Sequence, residues 1–163
     1  MTDRLFLLGP TASGKTAVAL ALAEQCNAEI LSLDSMLVYR HMDIGTAKPS
    51  AAERAAVPHH LLDLVDPHQE CSVAFWLEAA DRAEAEVRAR GKRPLYVGGT
   101  GLYLRARTAG LHQGPDIPPT VRAQVEADLQ TVGRTPLRQE LQKGDPLLHE
   151  RLHENDDKRL LRG

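Results

Sequence analysis

No long apolar run occurs anywhere in the 163 residues. "LFLLG", Leu5 to Gly9, is too short for a signal-peptide core or a membrane span, so a cytoplasmic protein is the default expectation. Cysteine is scarce. Cys26 and Cys71 make no CxxC or metal-type spacing, which argues against a disulfide framework and leaves both as packing residues. Charge of one sign is also lacking: 20 Lys and Arg stand against 22 Asp and Glu, a net charge of -2, so bulk electrostatics gives no support for a nucleic-acid partner. There is no internal repeat or low-complexity tract. "HERLH", His149 to His153, has neither the H-E-x-x-H order nor a third ligand signal, and reads as a solvated helix face. His59 and His60, beside Pro58, could contact a ligand, but read first as a turn or a hydrogen-bonded pair. What remains is the composition of a soluble globular chain, 42% hydrophobic and 26% charged, long enough for one domain with a small appendage.

The order of elements is then legible. "RLFLLG" followed by "SGKTAVALALAEQC" predicts strand, loop and helix, and "AEILSLDS" predicts a second buried strand with Asp34 and Ser35 at its carboxyl end. "SAAE", Ser50 to Glu53, is a capping box that opens a short helix. "HHLLDLVDP" is a third strand or an extended segment. From Ser72 to Arg90 the spacing of Phe75, Ala79, Ala83 and Val87 predicts a helix with those residues on one stripe and Gly91 as its terminator. "RPLYVGGTGLYLRA" repeats strand, glycine turn and helix. Alternating strands and helices imply a parallel sheet covered on both faces. The Pro- and Gly-rich "HQGPDIPP" marks a boundary, giving an α/β core over residues 1–112 and a helical segment over 113–163. In the latter, Val121, Val125 and Leu129 share a stripe, and Thr135 and Asp145 each precede a proline as helix-starting residues.

"GPTASGKT", Gly9 to Thr16, fits G-x-x-x-x-G-K-[ST] at every fixed position, and it follows a strand and opens a helix. Backbone N–H groups of Gly9, Pro10's neighbours Thr11 and Ala12, Ser13 and Gly14 can then cradle a diphosphate with the helix N-terminus behind them. Lys15 neutralises terminal oxygens and the Thr16 hydroxyl suits Mg²⁺. Asp34, at a strand end beside this loop, can hold the ion through water, take a proton from a nucleophile, or simply close an Asx turn. "GGTG", Gly98 to Gly101, is either a second anion approach or a strand-to-helix turn, and Thr100 gains weight from facing the same crevice as Thr16.

Together, "LGPTASGKT", "DSMLVYRHMDIGTAKP", "HHLLDLVDP", "PLYVGGTGLYLRA" and "ENDDKRLLR" resemble the tRNA dimethylallyltransferase family in order and spacing over essentially the whole chain. The resemblance implies a P-loop NTPase-like parallel sheet with flanking helices, followed by a small helical insertion segment. It implies that the loop holds dimethylallyl diphosphate rather than ATP, and that the five-carbon group goes to the N6 amine of an adenosine beside the tRNA anticodon. Lys15, Asp34 and Thr100 would then be catalytic, with Mg²⁺ at Thr16 and Asp34 through water. Asp34, Ser35, Met36, Leu37 and Thr100 would meet the flipped base, while Arg122, Asn155, Asp156, Asp157, Lys158 and Arg159 would approach the tRNA.

Departures from the family pattern are visible. Leu37 stands where relatives often have glutamine, His41 where they have glycine, and "NDDKR" replaces the commoner "NDPQR". Relatives continue well past "RLLR", usually with alanine at the position of Gly163, so the chain reads as a truncated member or a fragment that keeps diphosphate binding, with prenyl transfer to tRNA weak or absent. Two other readings stand beside this one. A P-loop kinase would use ATP and Asp34 as base, with the helical tail as a lid. A non-enzymatic fragment would bind RNA or a protein through its helices.

Overall fold

A computed structural model describes residues 4–111 and 117–162. Most of the expected boundary, residues 112–116, and Gly163 lie outside the described residues. The chain divides into two compact units, residues 1–112 and 113–163.

The first unit runs β1 (Leu5–Leu8), α1 (Lys15–Gln25), β2 (Ala28–Leu33), α2 (Ala51–Ala56), β3 (His59–His60), α3 (Val73–Ala89), β4 (Arg93–Gly98) and α4 (Gly101–Ala109). The strands form one parallel sheet in the order β1-β4-β2-β3. β2 is buried along its whole length, as the sequence predicts, with Glu29 and Ser32 as buried polar residues among its apolar ones. Ala28 and Ile30 pack with Ala19, Ala23 and Leu95 on the α1 side. Leu31 and Leu33 pack with Trp76, Ala80, Val87, Tyr96 and Tyr103 on the side of α3 and α4. Trp76 and Tyr103 stack with ring centroids 4.3 Å apart.

Two expectations change here. The third strand shrinks to two paired residues, because Leu61 (φ 64) and Asp63 (φ 54) enter the left-handed region and turn the chain out of the strand repeat; beyond them Val65 makes one bridge to Tyr39. The buried face of α3 is Trp76, Ala79, Ala80, Glu84 and Val87, whereas Phe75 is exposed. Residues four apart advance by more than a full turn, so a strict four-residue stripe drifts around the helix and carries Phe75 off the face that Val87 defines. His41 keeps the left-handed backbone (φ 62) that suits the glycine expected at this position.

The carboxyl ends of β1, β4 and β2 lie level, with Gly98 opposite both Leu8 and Leu33. A Cβ on Gly98 would sit 2.2 Å from the Leu33 carbonyl oxygen, and one on Gly99 would sit 2.9 Å from that of Gly9. The Thr100 N–H donates to the Leu33 carbonyl (3.1 Å) and the Gly9 N–H to that of Gly98 (3.3 Å). The paired glycines therefore serve close backbone approach between strand ends.

On the α3 face, Glu84 is buried and accepts from Arg4 Nε (2.8 and 2.9 Å), Arg88 Nε (3.0 Å), the Tyr96 hydroxyl (2.9 Å) and Arg107. Arg107 also lies over the Tyr96 ring, 5.4 Å from its centroid. Burial pushes the Glu84 carboxyl up, but donation from Arg4, Arg107, Tyr96 and Arg88 outweighs it and holds the group at about 2.

The second unit contains α5 (Pro119–Thr131), α6 (Arg134–Gly144), α7 (Pro146–Arg151) and α8 (Asp157–Leu160). Its core is Leu141, Leu152 and Leu160 with Leu137 and Leu148 beside them. Val125 and Leu129 are half-buried, but Val121 is exposed. Gly133 (φ 82) precedes α6, so Thr135 lies inside that helix rather than starting it. Asp145 does cap α7, accepting from the Leu148 N–H at 2.9 Å. Among the described residues no helix is long and apolar enough to cross a membrane.

Replacing Gly98 with alanine sets a methyl against a backbone carbonyl that cannot rotate away; urea unfolding should show a loss of about 3 kcal/mol or more. Glu84→Gln, which strips a buried charge from its partners, should cost a similar amount, about 3 kcal/mol at pH 7. Because the native carboxyl sits near 2 against an ordinary 4.5, its contribution is complete above pH 4.5 and fades as pH falls toward 2. The gap in stability between the two proteins should therefore narrow between pH 5 and pH 2, and a constant gap would contradict this account.

Candidate functional site

The loop from β1 to α1 contains two left-handed positions, Ala12 (φ 62) and Gly14 (φ 79). This alternation is the backbone pattern that gathers N–H groups into an anion-binding concavity. Gly14 caps α1 without any side-chain hydrogen bond, which leaves the first-turn amides of an eleven-residue helix for an incoming anion. Lys15 folds back so that its Nζ donates to the Pro10 carbonyl of the same loop.

Two cavities open beside this loop and share Thr11, Lys15, Asp34 and Met36. One, of about 660 Å³, adds Gly9, Pro10, Ser35, Gly99 and Thr100 to its lining. The other, of about 510 Å³, takes in the loop from Thr11 to Thr16 and reaches Leu37, Thr46, Ala47 and His59. The strand ends set this arrangement. Asp34 follows β2 directly, and its Oδ1 accepts from the Met36 N–H at 2.8 Å, so the Asx turn open at the level of sequence is present. The Ser35 N–H donates to the Thr100 hydroxyl oxygen at 3.0 Å, which ties the segment after β2 to the turn after β4.

Hard oxygen donors suited to Mg²⁺ line the second cavity: the Thr16 hydroxyl, the Asp34 carboxylate and Ser32. Ser32 Oγ is buried with no hydrogen-bond partner among the described residues. Those residues gather no cluster of three or more His, Cys, Asp or Glu. A divalent ion here would complete its shell with water and phosphate oxygens, which is the habit of magnesium, so the donor set fits that ion.

The sequence reading missed how the far wall of the second cavity is held. Lys48, its side chain 1% exposed, donates to the Tyr39 carbonyl (2.7 Å), Asp63 Oδ1 (2.7 Å) and Asp43 Oδ1 (2.8 Å). Arg54 adds a bond to Asp63 Oδ2 at 3.0 Å, and the Thr46 hydroxyl donates to the Met42 carbonyl at 2.6 Å. Burial pulls the Lys48 ammonium down, but Asp43 and Asp63 outweigh it and raise its pKa, so Lys48 is a cation that pins the "DIGTAKP" segment. A lysine between acids at 43 and 63 was a readable signal. Its burial was not.

His59 borders the same cavity, with Nδ1 on the Val57 carbonyl at 2.7 Å; burial pushes its pKa below the ordinary value. His60 meets Glu29, which also binds Arg90 (2.7 and 3.0 Å), so both histidines are hydrogen-bonded, one of the states expected.

The structure thus brings together Gly9 to Thr16, Asp34 to Leu37 and Thr100. Arg122 and Asn155 to Arg159 belong to the second unit. There Arg122 is exposed on α5, Asp156 caps α8 by accepting from the Arg159 N–H (3.1 Å), and Asn155 and Asp157 both bind Arg134.

Two family models match, that of IPP transferase over residues 37–163 and that of isopentenyl transferase over residues 3–63. The tRNA dimethylallyltransferase of Methylibium petroleiphilum is 54% identical over 160 residues, covering 98% of this chain and 49% of the relative. That of Desulfotalea psychrophila is 48% identical over 158 residues, with 97% and 50% covered. The chain spans about half the length of these relatives. Among solved structures, the full-length tRNA isopentenylpyrophosphate transferase of Bacillus halodurans superposes with a TM-score of 0.67 at 40% identity, over 99% of this chain and 54% of the other. A eukaryotic dimethylallyltransferase acting on tRNA gives 0.82 at 28% identity, over 98% and 40%. With the phosphate-type loop, its facing carboxylate and both family models accounted for between residues 3 and 163, the chain belongs to the IPP transferase family, the tRNA dimethylallyltransferases.

Proposed function

We propose that the protein serves transfer of a dimethylallyl group from dimethylallyl diphosphate to the N6 amine of an adenosine next to the anticodon of tRNA. The observation that carries this reading is the pair of cavities meeting at Lys15 and Asp34. A two-substrate reaction needs two approaches to one point, and a carboxylate and an ammonium stand where they join. The cavity containing the loop suits the diphosphate, with the amides and Lys15 on its oxygens and apolar Ile30, Leu62 and Val97 nearby for a hydrocarbon tail. The cavity bordered by Ser35, Gly99 and Thr100 suits the adenine, which must leave its stack to enter.

In this scheme N6 attacks the first carbon of the allylic chain. The carbon–oxygen bond breaks, its electron pair leaves with the diphosphate, and the amine proton passes to Asp34. Asp34 Oδ1 is held by the Met36 N–H, which orients the other oxygen for that proton. Lys15 exchanges its bond to the Pro10 carbonyl for one to the departing oxygens, where negative charge develops. Mg²⁺ held at Thr16, and at Asp34 through water, would add charge stabilisation for the leaving group. The partners are therefore a tRNA anticodon stem-loop and an allylic diphosphate, with Mg²⁺ as cofactor, at a cytoplasmic location.

Mass spectrometry of adenosines from tRNA incubated with the protein, Mg²⁺ and dimethylallyl diphosphate should show the gain of one five-carbon group. Calorimetry should find that Lys15→Ala weakens dimethylallyl diphosphate binding by about 100-fold, whereas Asp34→Asn leaves that affinity within a few-fold and lowers transfer by about 100-fold. Undiminished affinity in Lys15→Ala, or tight ATP binding with no response to the allylic diphosphate, would refute the proposal.

A further inference from the structure

The second unit holds a clamp that the proposed chemistry does not use. Arg134, the first residue of α6, donates from Nη1 to Asn155 Oδ1 and from Nη2 to Asp157 Oδ2, both at 2.9 Å. Its Nε lies 2.5 Å from Asp157 Oδ1 as an ion pair, an oxygen that is buried and makes no hydrogen bond among the described residues. One turn along α6, Arg138 donates to the carbonyls of Leu152 (3.3 Å) and His153 (3.4 Å). Two guanidiniums on one helix face thus hold the backbone and side chains from 152 to 157.

Directly after the clamp come Lys158 and Arg159. Both are exposed, and the Arg159 side chain, 74% exposed, forms an ion pair with Asp156 at 3.4 Å. Asp156 caps α8, and Asp157 is its first helical residue. That position explains the departure noted in the sequence. Proline is favoured as the first residue of a helix, where its fixed φ restricts the chain and no N–H is missed. In "NDDKR" this residue is aspartate, and the restriction comes from Arg134.

We propose that Arg134 is a positioning residue: its fork on Asn155 and Asp157 locks residues 155–159 so that Lys158 and Arg159 form a preorganised contact for RNA phosphates. The ionic clamp takes over the stiffening that proline supplies in the commoner pattern. The RNA half of this inference rests on the tRNA reading above; the locking half does not. A cation held in place binds phosphate without first losing the freedom of its segment.

Two measurements test it in the full chain. Timed trypsin digestion read by mass spectrometry should show faster cleavage after Lys158 and Arg159 in Arg134→Ala, and the Arg134→Ala/Asp157→Pro double variant should return toward the wild-type rate. Binding to an anticodon stem-loop RNA should weaken about five-fold in Arg134→Ala and recover in the double variant, while affinity for dimethylallyl diphosphate stays unchanged. Cleavage unaltered by Arg134→Ala, or no recovery with proline, would overturn the inference. If cleavage responds as expected but wild-type protein has no affinity for the RNA, the lock stands and the tRNA reading falls instead.

Discussion

Two absent methyl groups govern the site. With no Cβ at Gly98 or Gly99, the end of β4 slides against the Leu33 carbonyl on one side and the Gly9 carbonyl on the other. The main-chain bonds from Thr100 to Leu33 and from Gly9 to Gly98 then close the gap. These contacts bring the phosphate-type loop after β1, Asp34 after β2 and Thr100 after β4 to one level. A side chain at either glycine would have to separate strands whose interior is already close-packed. Loop, carboxylate and hydroxyl therefore depend on the same close approach, even though their residues lie far apart along the chain.

Buried charge does a different kind of work. Glu84, Glu29 and Lys48 are each surrounded by opposite charge or by donors and acceptors that match them. Such groups contribute little net stability, since desolvation offsets most of the attraction, but removing one partner leaves the other buried and unsatisfied. Their effect is to limit the arrangements the surrounding elements can take. Glu84, on α3, ties the residue before β1, β4 and α4 together through Arg4, Tyr96 and Arg107, with Arg88 of its own helix beside it. Lys48 fixes the segment walling the loop-side cavity while standing outside that cavity's lining.

Much of the fold was legible because its signals are local. A capping box at Ser50, an apolar run at β2 and a glycine-lysine loop each act within a few residues, and each appears where its chemistry requires. Errors arose where a neighbour from elsewhere decides. Phe75 and Trp76 are adjacent in sequence, yet the sheet and Tyr103 bury only the tryptophan. Thr135 has the look of a cap, but Gly133 offers a left-handed turn two residues earlier and the helix starts there. Contacts between remote residues were likewise illegible: Arg134 binds Asn155 and Asp157 across more than twenty residues, a pairing that no spacing rule encodes.

Family membership, the parallel α/β plan and the identity of the phosphate-type loop were determined by sequence alone, because each is written in contiguous residues whose backbone preferences and spacing act locally. Tertiary structure alone decided that two cavities share Lys15 and Asp34, that Lys48 is buried among acids, and that Arg134 reaches Asn155 and Asp157 just before Lys158. These features depend on distances between groups remote in the chain, and such distances exist only once the core has packed.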